Sequence, residues 1–217
     1  MKKWKKERKW PSVVFLSVLL LCAAVSAGLL YFYPNVFLDR SPQTEEALGV
    51  EEIPSWVDVQ LIRVDGASRR GEKLEAVRDI AVHYVGNPNT SAQANRNYFD
   101  SPDSTVSSHF LVGLEGEVIL CVPLDEKSSA TNERNRDTIS IEVCHPDETG
   151  VFSEKTYRSL IRLLSWLCEE FDLKRENLIR HYDVTGKKCP LYYVEHPEKW
   201  EELKNEVIIS KENEEET

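Results

Sequence analysis

The feature that most constrains this chain is an uncharged stretch at residues 11–33, PSVVFLSVLLLCAAVSAGLLYFY. As an α-helix it is long enough to cross a hydrocarbon layer of roughly 30 Å. Such a segment does not belong to the core of a water-soluble domain. The sequence therefore predicts one transmembrane helix at 11–33 and a separate globular domain in the residues that follow it.

Charge is divided unequally on the two sides of this stretch. Residues 1–10 carry six basic residues and one glutamate, a local charge of +5, which leaves −15 for the remainder of a chain whose net charge is −10. Basic residues before a span favour a cytoplasmic amino terminus. We expect a single-pass cell-membrane protein with a cytoplasmic segment at 1–10 and an extracellular body. Signal-peptide cleavage after Ala27 is the alternative, and it would give a secreted protein.

The body divides into three parts by composition. Residues 34–55 contain prolines and glutamates without a hydrophobic period, which is typical of a stalk. Residues 56–208 alternate strand-like and helix-like patterns, and 209–217 form a charged tail. Strands interspersed with helices favour an α/β fold. We predict a domain at 56–208 with a single mixed β-sheet flanked by helices.

Periodicity places the elements of this domain. Alternation in 138–144 puts Glu142 on the face opposite Ile139 and Ile141, and Glu115-Gly116 signals a hairpin. The patterns predict strands at 57–62, 80–85, 109–114, 117–122 and 138–144, and helices at 90–99, 153–171 and 196–208. Thr90 or Ser91 is the expected cap of the first helix, and Ser153 that of the second.

Five cysteines in an exported chain would ordinarily suggest disulfides. Here Cys121, Cys144 and Cys168 lie in apolar strand or helix patterns, so we expect small buried core residues. Cys189 differs, because it lies in a polar turn directly before Pro190.

Three residues have the chemistry of a zinc site. Catalytic zinc takes three ligands from His, Cys or carboxylates and leaves a fourth position for water. One loop turning at Gly186 could present both His181 and Cys189, with His83 supplied by a distant strand. Each residue alone has an ordinary alternative, a core histidine or half of a disulfide, and spacing does not show that they meet.

Four segments carry a resemblance to a known family. The segments IAVHYVGNPNTSAQANRNYF, SSHFLVGLEGEV, ISIEVC and HYDVTGKKCP occur in this order within residues 56–207. They resemble the zinc-dependent N-acetylmuramoyl-L-alanine amidases, a family that includes phage lysozymes of the T7 type, bacterial cell-wall amidases and peptidoglycan recognition proteins. The resemblance implies hydrolysis of the amide between N-acetylmuramic acid and L-alanine in peptidoglycan.

The same resemblance implies roles for individual residues. It makes His83, His181 and Cys189 the ligands of one Zn²⁺, and it gives Glu142 and Lys187 catalytic roles. Glu142 would move the proton from water to the departing amine, and Lys187 would stabilise the oxyanion. The ordinary alternatives are a solvated carboxylate for Glu142 and a turn lysine for Lys187, with Lys188 as the natural control.

One position departs from the family pattern. Some branches place a catalytic tyrosine just before the histidine of the hairpin, where this chain has Ser108. This favours Glu142 as the acid and base. His109 either lines the substrate groove or packs in the core, and Asp183 either orients His181 or forms a turn.

Other sequence features narrow the function class. His145 and His196 lack a motif, so we expect surface residues. No basic stripe indicates nucleic-acid binding, and we expect a monomer whose partners are peptidoglycan and the membrane. The competing functions are a wall-binding receptor that does not cut and an adaptor with a structural zinc site closed by four ligands.

Overall fold

The computed structural model describes residues 52–64 and 66–215. The helix predicted at 11–33, the cytoplasmic segment at 1–10 and most of the stalk lie outside them. Within the described ranges, no helix combines the length and the apolar character needed to cross a membrane.

A single mixed sheet forms the centre of the fold, as predicted, and in the described residues it has six strands, one more than the five predicted. Its order is β1-β4-β3-β5-β2-β6, in which β3 and β4 form an antiparallel hairpin and every other neighbouring pair is parallel. The strands are β1 Val57–Val59, β2 Asp79–Tyr84, β3 Phe110–Val112, β4 Val118–Leu120, β5 Thr138–Val143 and β6 Leu178–Arg180.

In the described part of the chain, five α-helices and two short 3-10 helices accompany the sheet. The 3-10 helices are Asn132–Arg136 and Arg175–Asn177. The α-helices are α1 Ala92–Phe99, α2 Glu154–Glu170, α3 His181–Thr185, α4 Leu191–Glu195 and α5 Pro197–Glu215. The caps predicted for the first two are present, because the hydroxyls of Ser91 and Ser153 accept the backbone N–H groups of Ala94 and Thr156.

Apolar side chains are buried on both faces of the sheet. On one face, the predicted alternation of β5 directs Ile139, Ile141 and Val143 into a core that contains α2 and α5 residues such as Leu164 and Leu203. The other face packs Leu111 and Ile119 against Ala92 and Phe99 of α1 and includes Cys121 and Cys144. Helices therefore flank the sheet on both sides.

The cysteine predictions hold for the described residues. Cys121, Cys144 and Cys168 are fully buried, and none of them forms a disulfide.

Two boundaries and one element differ from the predictions. The packed region begins before residue 56, since Ile53 already contacts the core. The final helix continues to Glu215, so the tail predicted at 209–217 is helical over most of its length; no proline or glycine after residue 208 interrupts it. The segment predicted to be a loop after β6 begins with helix α3.

Candidate functional site

The site lies at the carboxyl ends of three neighbouring parallel strands. His83 and Glu142 are register partners near the ends of β2 and β5. His181 directly follows β6, which pairs with the other side of β2. Carboxyl ends of parallel strands meet at one edge of a sheet, where open α/β folds bind their ligands. The topology thus brings together residues 98 positions apart in the chain.

A short segment that folds back on itself supplies two of the three predicted metal ligands. After α3, Gly186 adopts a φ of 76°, a conformation that glycine reaches without a steric cost, and the chain reverses. The N–H of Tyr182 then donates to the carbonyl of Cys189 at 3.0 Å. This contact holds His181 and Cys189 at the two ends of the same short segment.

His83, His181 and Cys189 converge as predicted. Their ligand atoms all lie within 4.8 Å of one another, and all three residues are buried. The Nδ1 atoms of the two histidines are 3.1 Å apart. Two imidazoles and one sulfur are donors that zinc prefers. Three donors from the described residues would leave a bound zinc ion a fourth coordination position for water or substrate.

Electrostatics keep the two imidazoles in the form that binds metal. Burial, followed by the positive charges of His181 and Lys187, lowers the pKa of His83 to about 3. Burial and Lys187 also lower the pKa of His181. Burial raises the pKa of the Cys189 thiol to about 12, as does the charge of Glu142, while a backbone hydrogen bond with Tyr84 and the charge of Lys187 lower it. Metal binding therefore has to displace the thiol proton.

A loop that sequence reasoning missed orients both histidines. His181 Nε2 donates to Asn132 Oδ1 at 3.0 Å, and His83 Nε2 lies 3.2 Å from Thr131 Oγ1. Asn135 shapes this loop, because its Oδ1 accepts the N–H groups of Ala130 and Thr131. Such contacts fix the ring orientation of ligating histidines.

Glu142 extends from β5 into the same site. Its Oε2 is buried and has no hydrogen-bond partner. Burial raises its pKa to about 8, against the opposing charge of Lys187. An unpartnered carboxylate oxygen with a pKa near neutrality is suited to exchange a proton with a substrate or water.

The two adjacent lysines have different surroundings. Lys187 lines the cleft, where its charge acts on Glu142 and on the histidines. Lys188 instead donates from Nζ to Glu195 at 2.9 Å. Lys187 is therefore a cation of the cleft, whereas Lys188 belongs to a surface ion pair.

An open cleft of about 1140 Å³ contains the site. The residues that line it include His83, His181, Glu142 and Lys187 together with Arg70 and Val106. The cleft is large enough for an extended ligand.

The structure gives His109 a packing role and corrects its tentative assignment to the substrate groove. The side chain is fully buried. The N–H of Ser140 donates to His109 Nδ1 at 2.9 Å, and Nε2–H donates to the carbonyl of Glu126 at 2.8 Å. Ser108 is also buried and donates its hydroxyl to the carbonyl of Phe110, so it does not replace the absent tyrosine.

Two further expectations are resolved by contacts. Asp183 accepts the backbone N–H of Arg180 at 2.8 Å and binds its guanidinium, so its side chain caps the amino end of α3. His145 is buried, which contradicts the prediction of a surface position: its ring stacks on Tyr84 and its Nδ1 contacts the carbonyl of Asp147. His196 is half exposed, as predicted.

Comparison with known proteins identifies the family of this chain. Residues 73–191 match the model of the N-acetylmuramoyl-L-alanine amidase family. The chain is 29% identical over 167 residues to N-acetylmuramoyl-L-alanine amidase BlyA of Bacillus subtilis (strain 168), covering 67% of this chain and 45% of that protein. It is 30% identical over 149 residues to a probable N-acetylmuramoyl-L-alanine amidase of Bacillus licheniformis, covering 61% and 42%. The chain thus spans less than half the length of these relatives.

A solved structure shares the fold. The catalytic domain of XlyA superposes with a TM-score of 0.62 at 25% identity, covering 70% of this chain and 98% of that domain. The family match extends over more than half of the chain and includes all three converging residues. The chain belongs to the N-acetylmuramoyl-L-alanine amidase family.

Proposed function

We propose that this protein is a zinc-dependent amidase that hydrolyses the bond between N-acetylmuramic acid and L-alanine in peptidoglycan. The observation that carries the proposal is the buried His83, His181 and Cys189 group beside the unpartnered carboxylate oxygen of Glu142. The names of the relatives support the same reaction.

The three residues fit zinc, which when bound supplies a Lewis acid that polarises a carbonyl and acidifies water. Glu142 takes the proton of the attacking water on Oε2 and returns it to the nitrogen of the departing L-alanine. Lys187 places a positive charge beside the carbonyl oxygen as negative charge develops there. Asn132 and Thr131 hold the two imidazoles so that the nitrogens facing each other are free to bind metal.

The test uses the purified full-length chain and isolated cell walls. Digestion is expected to release stem peptides with new amino-terminal L-alanine, detected by mass spectrometry. Chelation should abolish the release, and added Zn²⁺ should restore it. Wall binding without any product after long incubation would contradict the proposal and favour the receptor alternative.

We also propose that residues 11–33 anchor the enzyme in the cell membrane with its domain outside, and that cleavage after Ala27 is the alternative. The support is the uncharged length of this stretch and the basic segment before it. In fractionated cells the protein is expected in the membrane fraction. Protease added to intact protoplasts is expected to degrade its domain. Recovery of the domain in the culture medium would instead show a cleaved signal.

A further inference from the structure

A second cation lines the cleft outside the segment that matches the family. Arg70 lines the same cleft as His83 and Glu142, and its side chain is 68% exposed. The family match begins at residue 73, so Arg70 lies just before the matched segment.

The residues preceding Arg70 are anchored by buried contacts. Arg69 forms a two-point ion pair with Glu126, Nε to Oε2 at 2.8 Å and Nη2 to Oε1 at 2.9 Å, and its Nη1 donates to the carbonyl of Ile62. The hydroxyl of Ser68 donates to the carbonyl of Phe99 at 2.7 Å. Two consecutive buried residues therefore fix the backbone position from which Arg70 projects.

The internal partner of Arg70 is weak. Its Nη1 lies 4.0 Å from a carboxylate oxygen of Glu72, and both side chains are more than half exposed. Exposed pairs of this kind contribute little, so the guanidinium retains its capacity to bind an external carboxylate through two parallel hydrogen bonds. The only carboxylate among the cleft-lining residues of the described chain is Glu142.

We propose that Arg70 determines specificity by binding a free carboxylate of the stem peptide. The assignment rests on the proposed function. The carboxylate belongs to the stem peptide, because glycan sugars with an amidated lactyl group carry no ionised carboxylate. The chain outside its first ten residues has a charge of −15, which repels an acidic peptide at long range. A positioned arginine in the cleft supplies a local attraction for such a carboxylate, in addition to the charge of Lys187.

The experiment compares two synthetic muramyl peptides that differ only in one stem carboxylate, present as the free acid or as the carboxamide. With the full-length Zn²⁺-loaded chain, Arg70→Gln is expected to lower kcat/KM about tenfold for the acid, as expected for loss of a charge-assisted hydrogen bond. It should change kcat/KM less than twofold for the carboxamide. Arg70→Lys should recover part of the loss, because it retains the charge without the two-point geometry.

Arg78→Gln is the matched control, since Arg78 is 72% exposed and does not line the cleft. It should leave the preference for the acid unchanged. An equal loss on both peptides, or no loss on either, would overturn the proposal. If neither peptide is hydrolysed, calorimetric binding of the same pair decides the role of Arg70, so failure of the amidase assignment remains distinguishable.

Discussion

Acidification should destabilise this domain through His109. In the folded state Nδ1 accepts the Ser140 N–H and Nε2–H donates to the Glu126 carbonyl, which fixes the neutral tautomer. A second ring proton on Nδ1 would face the N–H of Ser140, although the Ser140 hydroxyl oxygen also lies 3.1 Å from this nitrogen. Burial lowers the pKa of His109 to about 4, and hydrogen bonding and charge from Glu126 oppose this only in part.

The sign and size of this change in the free energy of unfolding follow from the different proton affinities of the folded and unfolded chains. The unfolded chain binds the proton with a pKa of 6.5, more tightly than the folded chain does. The contribution to stability is therefore complete above pH 6.5 and is lost as the pH falls toward 4. Between pH 7.5 and pH 5 the loss is about 2 kcal/mol.

The assay is urea unfolding of the purified chain and of His109→Gln, followed by tryptophan fluorescence in the presence of chelator. Glutamine offers a donor to Glu126 but cannot titrate, and all other groups titrate equally in both proteins. The stability advantage of the wild type should shrink by about 2 kcal/mol from pH 7.5 to pH 5. An advantage that stays constant within 0.5 kcal/mol, on the order of the error in additive comparisons, would refute the reasoning.

The remaining predictions concern the site. Glu142→Gln should lower kcat about 10²–10⁴-fold while zinc content by mass spectrometry stays at the wild-type value; unchanged kcat would remove its role as base. Lys187→Gln should lower kcat on the order of 10²-fold, whereas Lys188→Gln should have wild-type activity, and equal effects would exclude a specific cleft cation. Cys189→Ser should abolish stoichiometric zinc binding; full retention would contradict a thiolate ligand. Asn132→Ala should weaken zinc affinity about 10–100-fold, measured by competition with a chromogenic chelator.

Local pattern predicted most of the fold because burial imposes a period on the residues involved. The alternation of Ile139, Ile141 and Val143 and the cap Ser153 could be identified without coordinates, and the structure confirms them. For the first helix the sequence left Thr90 and Ser91 as alternatives, and the structure selects Ser91. Helix α3 was missed because Asp183 and Gly186 are also typical of turns. In the structure the side chain of Asp183 caps this helix.

Contacts between distant segments were not predictable from one sequence. Asn132 meets His181 across 49 residues, and nothing in the polar loop that contains Asn132 signals this contact. His145 lacks a motif, yet its ring is buried against Tyr84. The convergence of His83, His181 and Cys189 could be expected from the resemblance, while the spacing alone left it open.

Placement of the site-bearing strands has a consequence for biosynthesis. β2, which carries His83, is made before its partner β6, and His181 follows His83 by 98 residues. Under the proposed mechanism, any chain that terminates before Cys189 is inert toward the wall. The site is therefore complete only when segments from both halves of the domain have been made.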